Sequence, residues 1–275
     1  MQSRFFDPVR HLPESGRDRH RICHVPGLDD PGGIFLDSFP KRQMERVPGD
    51  RIKEGGRFAR DNGCDFVVAL GGGSVMDAAK IMAMYALQPG DLGDYVAGAT
   101  GKMQPLVNPT LPIIAITTTA GTGSEVDQWG VVKNPETNEK IGCGGMDSLF
   151  PVIAVADPEL MVTVPPKFTA YQGFDALFHS TEGYMSGVTS LMGDMVQLAA
   201  IENIGKYLAR AVKDGSDMEA REHVAFANTM SGYSIGSRSL HKRACDGTRY
   251  ECISSGSAPW HRLWARLMQK ILWTL

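Results

Sequence analysis

Three glycines at the end of an apolar run are the first residues in this sequence suited to hold a ligand. Gly71-Gly72-Gly73-Ser74-Val75-Met76-Asp77-Ala78-Ala79-Lys80 follows Asp65-Phe66-Val67-Val68-Ala69-Leu70 directly, which predicts a strand, a glycine turn and a helix from Ser74. Glycines let a backbone turn sharply and bring bare N–H groups against an anion, and the positive end of the helix aims at the same place, so the chemistry is phosphate binding. The same residues also fit a plain βα turn, with Ser74 and Asp77 as a Ser-x-x-Asp capping box. A second loop, Thr117-Thr118-Thr119-Ala120-Gly121-Thr122-Gly123-Ser124-Glu125, combines hydroxyls with two glycines after another apolar run. It can offer hydrogen bonds to a phosphate or ribose, or bond only within its own turn. A third constellation, Gly173-Phe174-Asp175-Ala176-Leu177-Phe178-His179-Ser180-Thr181-Glu182, sets Asp175 and His179 one helical turn apart. At i and i+4 their side chains leave one helix face, where a carboxylate oxygen and an imidazole nitrogen can share a divalent ion, and Glu182 extends the stripe. The alternative is an ordinary polar helix face. Two ligands are too few for a stable site, and the downstream histidines are His223, His241 and His261.

The elements that position these residues are readable from about Asp50 onward. Arg51 to Gly63 reads as a charged helix closed by Asn62-Gly63, followed by a strand over Cys64–Leu70. The helix from Ser74 carries small and apolar residues through Tyr85. Leu111–Ile116 reads as a second buried strand leading into the hydroxyl-rich loop, and Pro151–Ala156 as a third that stops at Asp157-Pro158. Continuous apolar strands separated by helical segments favour a parallel sheet buried on both faces. Ligands in open α/β sheets sit beyond the carboxyl ends of the strands, so two polar loops arriving there point to a nucleotide site. After Pro165-Pro166 helix follows helix, with periodicity over Gly173–Ser186, Leu191–Asp214 and Asp217 to Ile235.

Bulk properties narrow the function classes. The 275 residues, 43% of them hydrophobic, are enough for one large domain or two ordinary ones with a substantial core. A net charge of −3 gives no pull toward nucleic acid or an anionic membrane, and neither is expected as a partner. No apolar run approaches a membrane span and the first residues lack the apolar stretch of a signal peptide, so a cytoplasmic address is the default expectation. Cys23, Cys64, Cys143, Cys245 and Cys252 are odd in number and scattered, and are expected to be reduced thiols.

Taken together, the quoted motifs, with Asp157-Pro158-Glu159-Leu160 between them and Gly183-Tyr184 closing the last, resemble those of the iron-containing (group III) alcohol dehydrogenases, over roughly Asp50 to Ile235. The resemblance implies an N-terminal dinucleotide-binding α/β domain, an all-α helical domain and a metal in the cleft between them. The expected division is a poorly matched segment at 1–48, the α/β domain at 49–164, a partial helical metal-binding domain at 165–236 and an aberrant tail at 237–275. It further implies that Gly72, Gly73, Ser74 and Asp77 lie along the pyrophosphate, Thr117, Thr118 and Thr122 near the phosphates and nicotinamide ribose, and Lys140 near the cofactor. Such proteins hold their metal with one Asp and three His. Asp175 and His179 match two of these, and His241, after Ser239-Leu240, is the candidate for the third. The implied cofactors are NAD or NADP with Fe2+, Zn2+ being compatible with the same ligands. The implied reaction is hydride transfer between a small or primary alcohol, or its aldehyde, and nicotinamide, with the metal acidifying the hydroxyl or polarising the carbonyl. A homo-oligomer is left open, as are a dehydroquinate-synthase-like lyase and a non-catalytic nucleotide-binding remnant.

The sequence departs from that pattern in its last forty residues. The Pro-His-Gly segment that should carry the fourth ligand is absent. Ala258-Pro259-Trp260-His261 can be encoded so that reading one base later gives Pro-His-Gly, and Arg243-Ala244-Cys245-Asp246 so that the same offset gives Glu-His-Ala. The expectation is a base lost or gained between about Ile235 and Lys242, leaving the chain a defective fragment. The Lys and Arg of this tail, without a fold to array them, do not make a nucleic-acid patch.

Overall fold

The computed structural model describes residues 22–24, 49–97, 101–134, 139–185 and 190–242. The chain order is β1 (Ile22–His24), α1 (Gly49–Asp61), β2 (Phe66–Gly71), α2 (Gly73–Leu87), β3 (Ile113–Thr117), β4 (Gly130–Asn134), β5 (Glu139–Cys143), β6 (Ile153–Ala156), α3 (Pro166–Met185), α4 (Leu191–Lys213) and α5 (Met218–Lys242). Four strands form a parallel sheet in the order β1-β2-β3-β6, and β4 and β5 form a separate antiparallel pair. An α/β part with a parallel sheet is thus followed by a run of helices.

Packing around α2 explains its composition. One face meets Val67, Ala69, Ile113 and Ala115 of the sheet, and another meets Ile52 of α1, Val132 of β4 and Leu149. A helix buried almost all round needs small side chains where elements come close, which accounts for Ala78, Ala79, Ala83 and Ala86, each fully buried. Its C-terminal carbonyls are satisfied by Arg60 of α1, which donates to Tyr85, Ala86 and Gln88 oxygens at 2.7–2.9 Å. In the helical part, Ala176, Leu177, Ile204, Leu208 and Val224 form a separate core between α3, α4 and α5. Burial of a Leu or Ile there contributes about 1.5–3 kcal/mol.

Several sequence expectations need correction. Helix α2 starts at Gly73 with Gly72 as its N-cap and no side-chain cap, so the Ser74/Asp77 capping box does not form. Helix α3 begins two turns earlier than its apolar period suggests, because Pro166 suits the first turn of a helix. Helix α5 runs past Ile235 to Lys242 and so includes His241. Strand β6 is not covered on both faces: it is an edge strand of the sheet among the described residues, with all four of its residues exposed. Cys64 is disulfide-bonded rather than a reduced thiol. Cys143 is free and buried, its Sγ 3.3 Å from Met84 Sδ, and burial pushes its thiol up to about 12. Among the described residues, no helix is long and apolar enough to cross a membrane. The expectations placed on residues 1–21, 25–48 and 243–275, including His261 and the shifted-frame motifs, fall outside the described residues.

Candidate functional site

Register places the first two motifs side by side. Gly71 at the end of β2 pairs with Thr117 at the end of β3, and Thr118 N–H donates to the Gly71 carbonyl at 2.9 Å. Both loops therefore leave the sheet at one level, beyond the carboxyl ends of adjacent parallel strands. They also touch. A Cβ on Gly72 would stand 3.1 Å from Thr119 Oγ1, and one on Gly73 would stand 2.5 Å from Thr122 Cγ2 and 2.7 Å from its Oγ1. Glycine is required at position 73 so that the first turn of α2 can meet the second loop. The first N–H groups of α2 have no intrahelical acceptor, which leaves them able to face an anion.

The side chains of the two loops divide into those turned outward and those used by the protein itself. Ser74 is exposed and Thr118 half-buried, so both present groups at the loop surface, while the half-buried Thr122 has its Oγ1 accepting from Ser124 N–H at 3.3 Å. Thr117 is buried and donates its hydroxyl to the Thr119 carbonyl at 2.9 Å. Asp77 Oδ1 accepts from Ser124 Oγ at 2.8 Å and its Oδ2 from Val131 N–H at 3.1 Å, so this carboxylate ties α2 to the second loop and to β4. Burial raises the Asp77 carboxyl above its ordinary range, against Lys80 and the two hydrogen bonds, which lower it. Lys140 is exposed on β5 opposite Lys133, and no hydrogen bond or ion pair connects it to the two loops among the described residues.

Sequence reasoning missed the residues that hold the second loop. Lys80 Nζ donates to Ser124 Oγ, Asp127 Oδ1 and the Trp129 carbonyl at 2.7–2.9 Å. From the helical part, Asn228 accepts from Gly123 N–H and donates to Glu125 Oε1, both at 2.8 Å, and Thr229 Oγ1 donates to the same carboxylate oxygen at 2.8 Å. Burial raises the Glu125 carboxyl above its ordinary range. The available signal was a charged Lys80 within an otherwise small and apolar helix segment and a Glu125 closing the hydroxyl-rich loop.

Asp175 and His179 lie on one face of α3 as their spacing requires, with Asp175 Oδ1 3.9 Å from His179 Nε2. Both are partly open to solvent, whereas His179 Nδ1 is buried with no hydrogen-bond partner among the described residues. Donor types and spacing suit a divalent cation. Among the described residues, however, no three His, Cys, Asp or Glu cluster closely enough to hold an ion. His241 is in the last turn of α5, and its side chain lies outside those described.

Residues 43–158 match the family model for iron-containing alcohol dehydrogenase, and residues 169–243 match the C-terminal model of the Fe-containing alcohol dehydrogenase family. The choline dehydrogenase of Bacillus subtilis (strain 168) is 43% identical over 192 residues, which is 68% of this chain and 46% of that protein. The NAD-dependent methanol dehydrogenase of Bacillus methanolicus is 37% identical over 216 residues, 76% of this chain and 53% of the relative. The crystal structure of sulfoacetaldehyde reductase from Bifidobacterium kashiwanohense in complex with NAD+ superposes with a TM-score of 0.66 at 35% identity, covering 74% of this chain and 51% of that one. The chain spans about half the length of the relatives it matches. With its glycine turn against a hydroxyl-rich loop and its Asp/His helix inside the matched residues, the chain belongs to the iron-containing alcohol dehydrogenase family.

Proposed function

We propose that this chain is a nicotinamide-nucleotide-binding part of a metal-dependent alcohol dehydrogenase, acting on a small or primary alcohol and its aldehyde. The observation that carries the reading is the contact of Gly73 with Thr122 beyond the ends of β2 and β3. It forms a wall of N–H and hydroxyl groups where an open α/β sheet binds nucleotides. Gly72, Gly73 and Ser74 would face the pyrophosphate, and Thr118 and Thr122 the phosphates and ribose. Asp77 and Thr117 act behind this wall, because their polar atoms are already engaged by Ser124, Val131 and Thr119. The residues present support NAD and NADP alike.

Asp175 and His179 would hold Fe2+ or Zn2+, with His241 as a third donor. Such an ion, when bound, would supply Lewis-acid polarisation of the alcohol or carbonyl oxygen for hydride transfer to or from nicotinamide. The Gly-x-Asp-Ala-x-x-His block favours this reading over a dehydroquinate-synthase-like lyase. A second reading, a nucleotide binder without turnover, is favoured by one observation: only two donors come together among the described residues.

Metal analysis of the purified chain, NADH titration and an assay for alcohol-dependent NAD(P)H formation separate the two. The dehydrogenase reading expects bound metal and turnover, with Asp175→Ala abolishing turnover but retaining NADH binding. Turnover retained in Asp175→Ala removes that residue from the metal site. NADH binding without metal or turnover favours the second reading, and no NADH binding overturns both.

A further inference from the structure

We propose that Asn228 and Glu125 are positioning residues for the nucleotide cleft, fixing its second loop from helix α5 so that nucleotide affinity depends on the helical part of the chain. The proposal rests on the nucleotide-binding reading above. Asn228 is fully buried, Glu125 is 1% exposed, and 103 residues separate them in sequence. The Asn228 amide brackets the loop: its oxygen accepts from Gly123 N–H, and its nitrogen donates to Glu125 two residues further on. An aspartate would lack the donor and a leucine would lack both groups.

The loop meets the helix closely at this bracket. Gly123 is left-handed at φ 62°, ψ 16°, and a Cβ there would stand 2.4 Å from both Cα and N of Gly232 on α5. From the other side, a Cβ on Gly232 would lie 2.0 Å from the Gly123 carbonyl oxygen. Loop and helix therefore meet backbone to backbone. The residues flanking Gly123 meet the cleft: Thr122 packs on Gly73, and Ser124 Oγ donates to Asp77. A shift of α5 is thus one residue removed from the contact that shapes the phosphate turn.

The test is NADH titration of the full chain, with hydrogen exchange of the loop amides as an independent readout. Removing a buried partner of two hydrogen bonds in Asn228→Ala is expected to raise the NADH Kd at least about tenfold. Leu208→Ala is the control for simple destabilisation. It opens a cavity in the helical core, whose buried residues include Ala120 at the start of the loop but none of the bracketed segment 123–125, and is expected to keep Kd within about twofold. Glu125→Ala should behave as Asn228→Ala, whereas Glu125→Gln, which keeps an acceptor for Asn228 and Thr229, should recover most of the affinity. Wild-type affinity in Asn228→Ala, or an equal loss in Leu208→Ala, overturns the proposal. If the wild-type chain does not bind NADH, the nucleotide reading fails, and exchange decides the rest. Faster exchange at Gly123 and Ser124 in Asn228→Ala than in Leu208→Ala supports the bracket, and equal exchange overturns it.

Discussion

Lys80 Nζ lies 2.7 Å from Asp127 Oδ1, and the two side chains are only 1% and 5% exposed. The ammonium's two further acceptors, Ser124 Oγ and the Trp129 carbonyl, use its remaining protons. Ser124 in turn donates its hydroxyl hydrogen bond to Asp77, so one cation joins α2, the second loop and the approach to β4. Lys80→Met leaves two buried carboxylates beside an apolar chain. A loss of roughly 3–5 kcal/mol is expected, read as a lower urea midpoint. A loss below about 1 kcal/mol would mean that this ion pair behaves like an exposed one.

Gly123→Ala probes the contact between loop and helix from the backbone side. A left-handed conformation costs a residue with a Cβ about 1–2 kcal/mol by itself. The added methyl would also overlap the Gly232 backbone, so a total loss above about 2 kcal/mol, or failure to fold, is expected. Gly142→Ala in β5 is the matched comparison, since a Cβ there meets nothing within 4 Å. Equal denaturation midpoints for the two variants would remove strain at Gly123 from the account.

What was legible in the sequence was local. Alternating and continuous apolar runs placed β2, β3 and α2, and glycine chemistry marked the turn between them. The capping box failed because Gly72, extended at φ −86°, ψ −175°, takes the N-cap itself. That puts Ser74 in the first turn and Asp77 inside the helix, where its carboxylate finds Ser124 instead of α2's own N–H groups. The β4–β5 pair escaped notice because Glu139-Lys140 and Lys133-Asn134 break any apolar run. The Lys80–Asp127 and Glu125–Asn228 partners are 47 and 103 residues apart, so no periodicity brings them together.

Glu125 gives the protein a pH signature of definite sign. Unfolded, its carboxyl ionises near its ordinary 4.5; folded, burial raises that value despite the Thr229 hydrogen bond and Lys80. The native state then binds more protons than the unfolded state as pH rises above about 4.5, so this group's contribution falls until the raised value is passed. Asp77 acts in the same direction from its ordinary 3.8. Thermal melts between pH 4 and 8 should show the advantage of Glu125→Gln over wild type growing with pH and then levelling. A difference that is flat, or that shrinks as pH rises, refutes the assignment.

The codons of the tail carry a separate prediction. Reading one base later is expected to recover Glu-His-Ala from the codons of Arg243–Asp246 and Pro-His-Gly from those of Ala258–His261. Resequencing the DNA from Ile235 onward checks it directly. A single-base change before Lys242 would restore the Pro-His-Gly segment expected to carry the fourth metal donor, whereas unrelated codons in an intact frame would end the idea.

Strand β6 sets the last expectation, because a sheet edge lined with apolar side chains invites pairing with another chain. Val152, Ile153 and Val155 are 65%, 51% and 38% exposed, and the backbone groups on the outer side of β6 have no neighbouring strand among the described residues. Leu191 and Met195 of α4 add a second apolar surface, 80% and 60% exposed. Surfaces of this kind drive concentration-dependent association, and a lysine on an edge strand opposes strand pairing by charge and by side-chain bulk. Ile153→Lys should lower the sedimentation-derived association constant without lowering the melting temperature, since the side chain it replaces is already half in water. Association that survives Ile153→Lys but falls in Leu191→Lys would move the contact from the sheet edge to the outer face of α4.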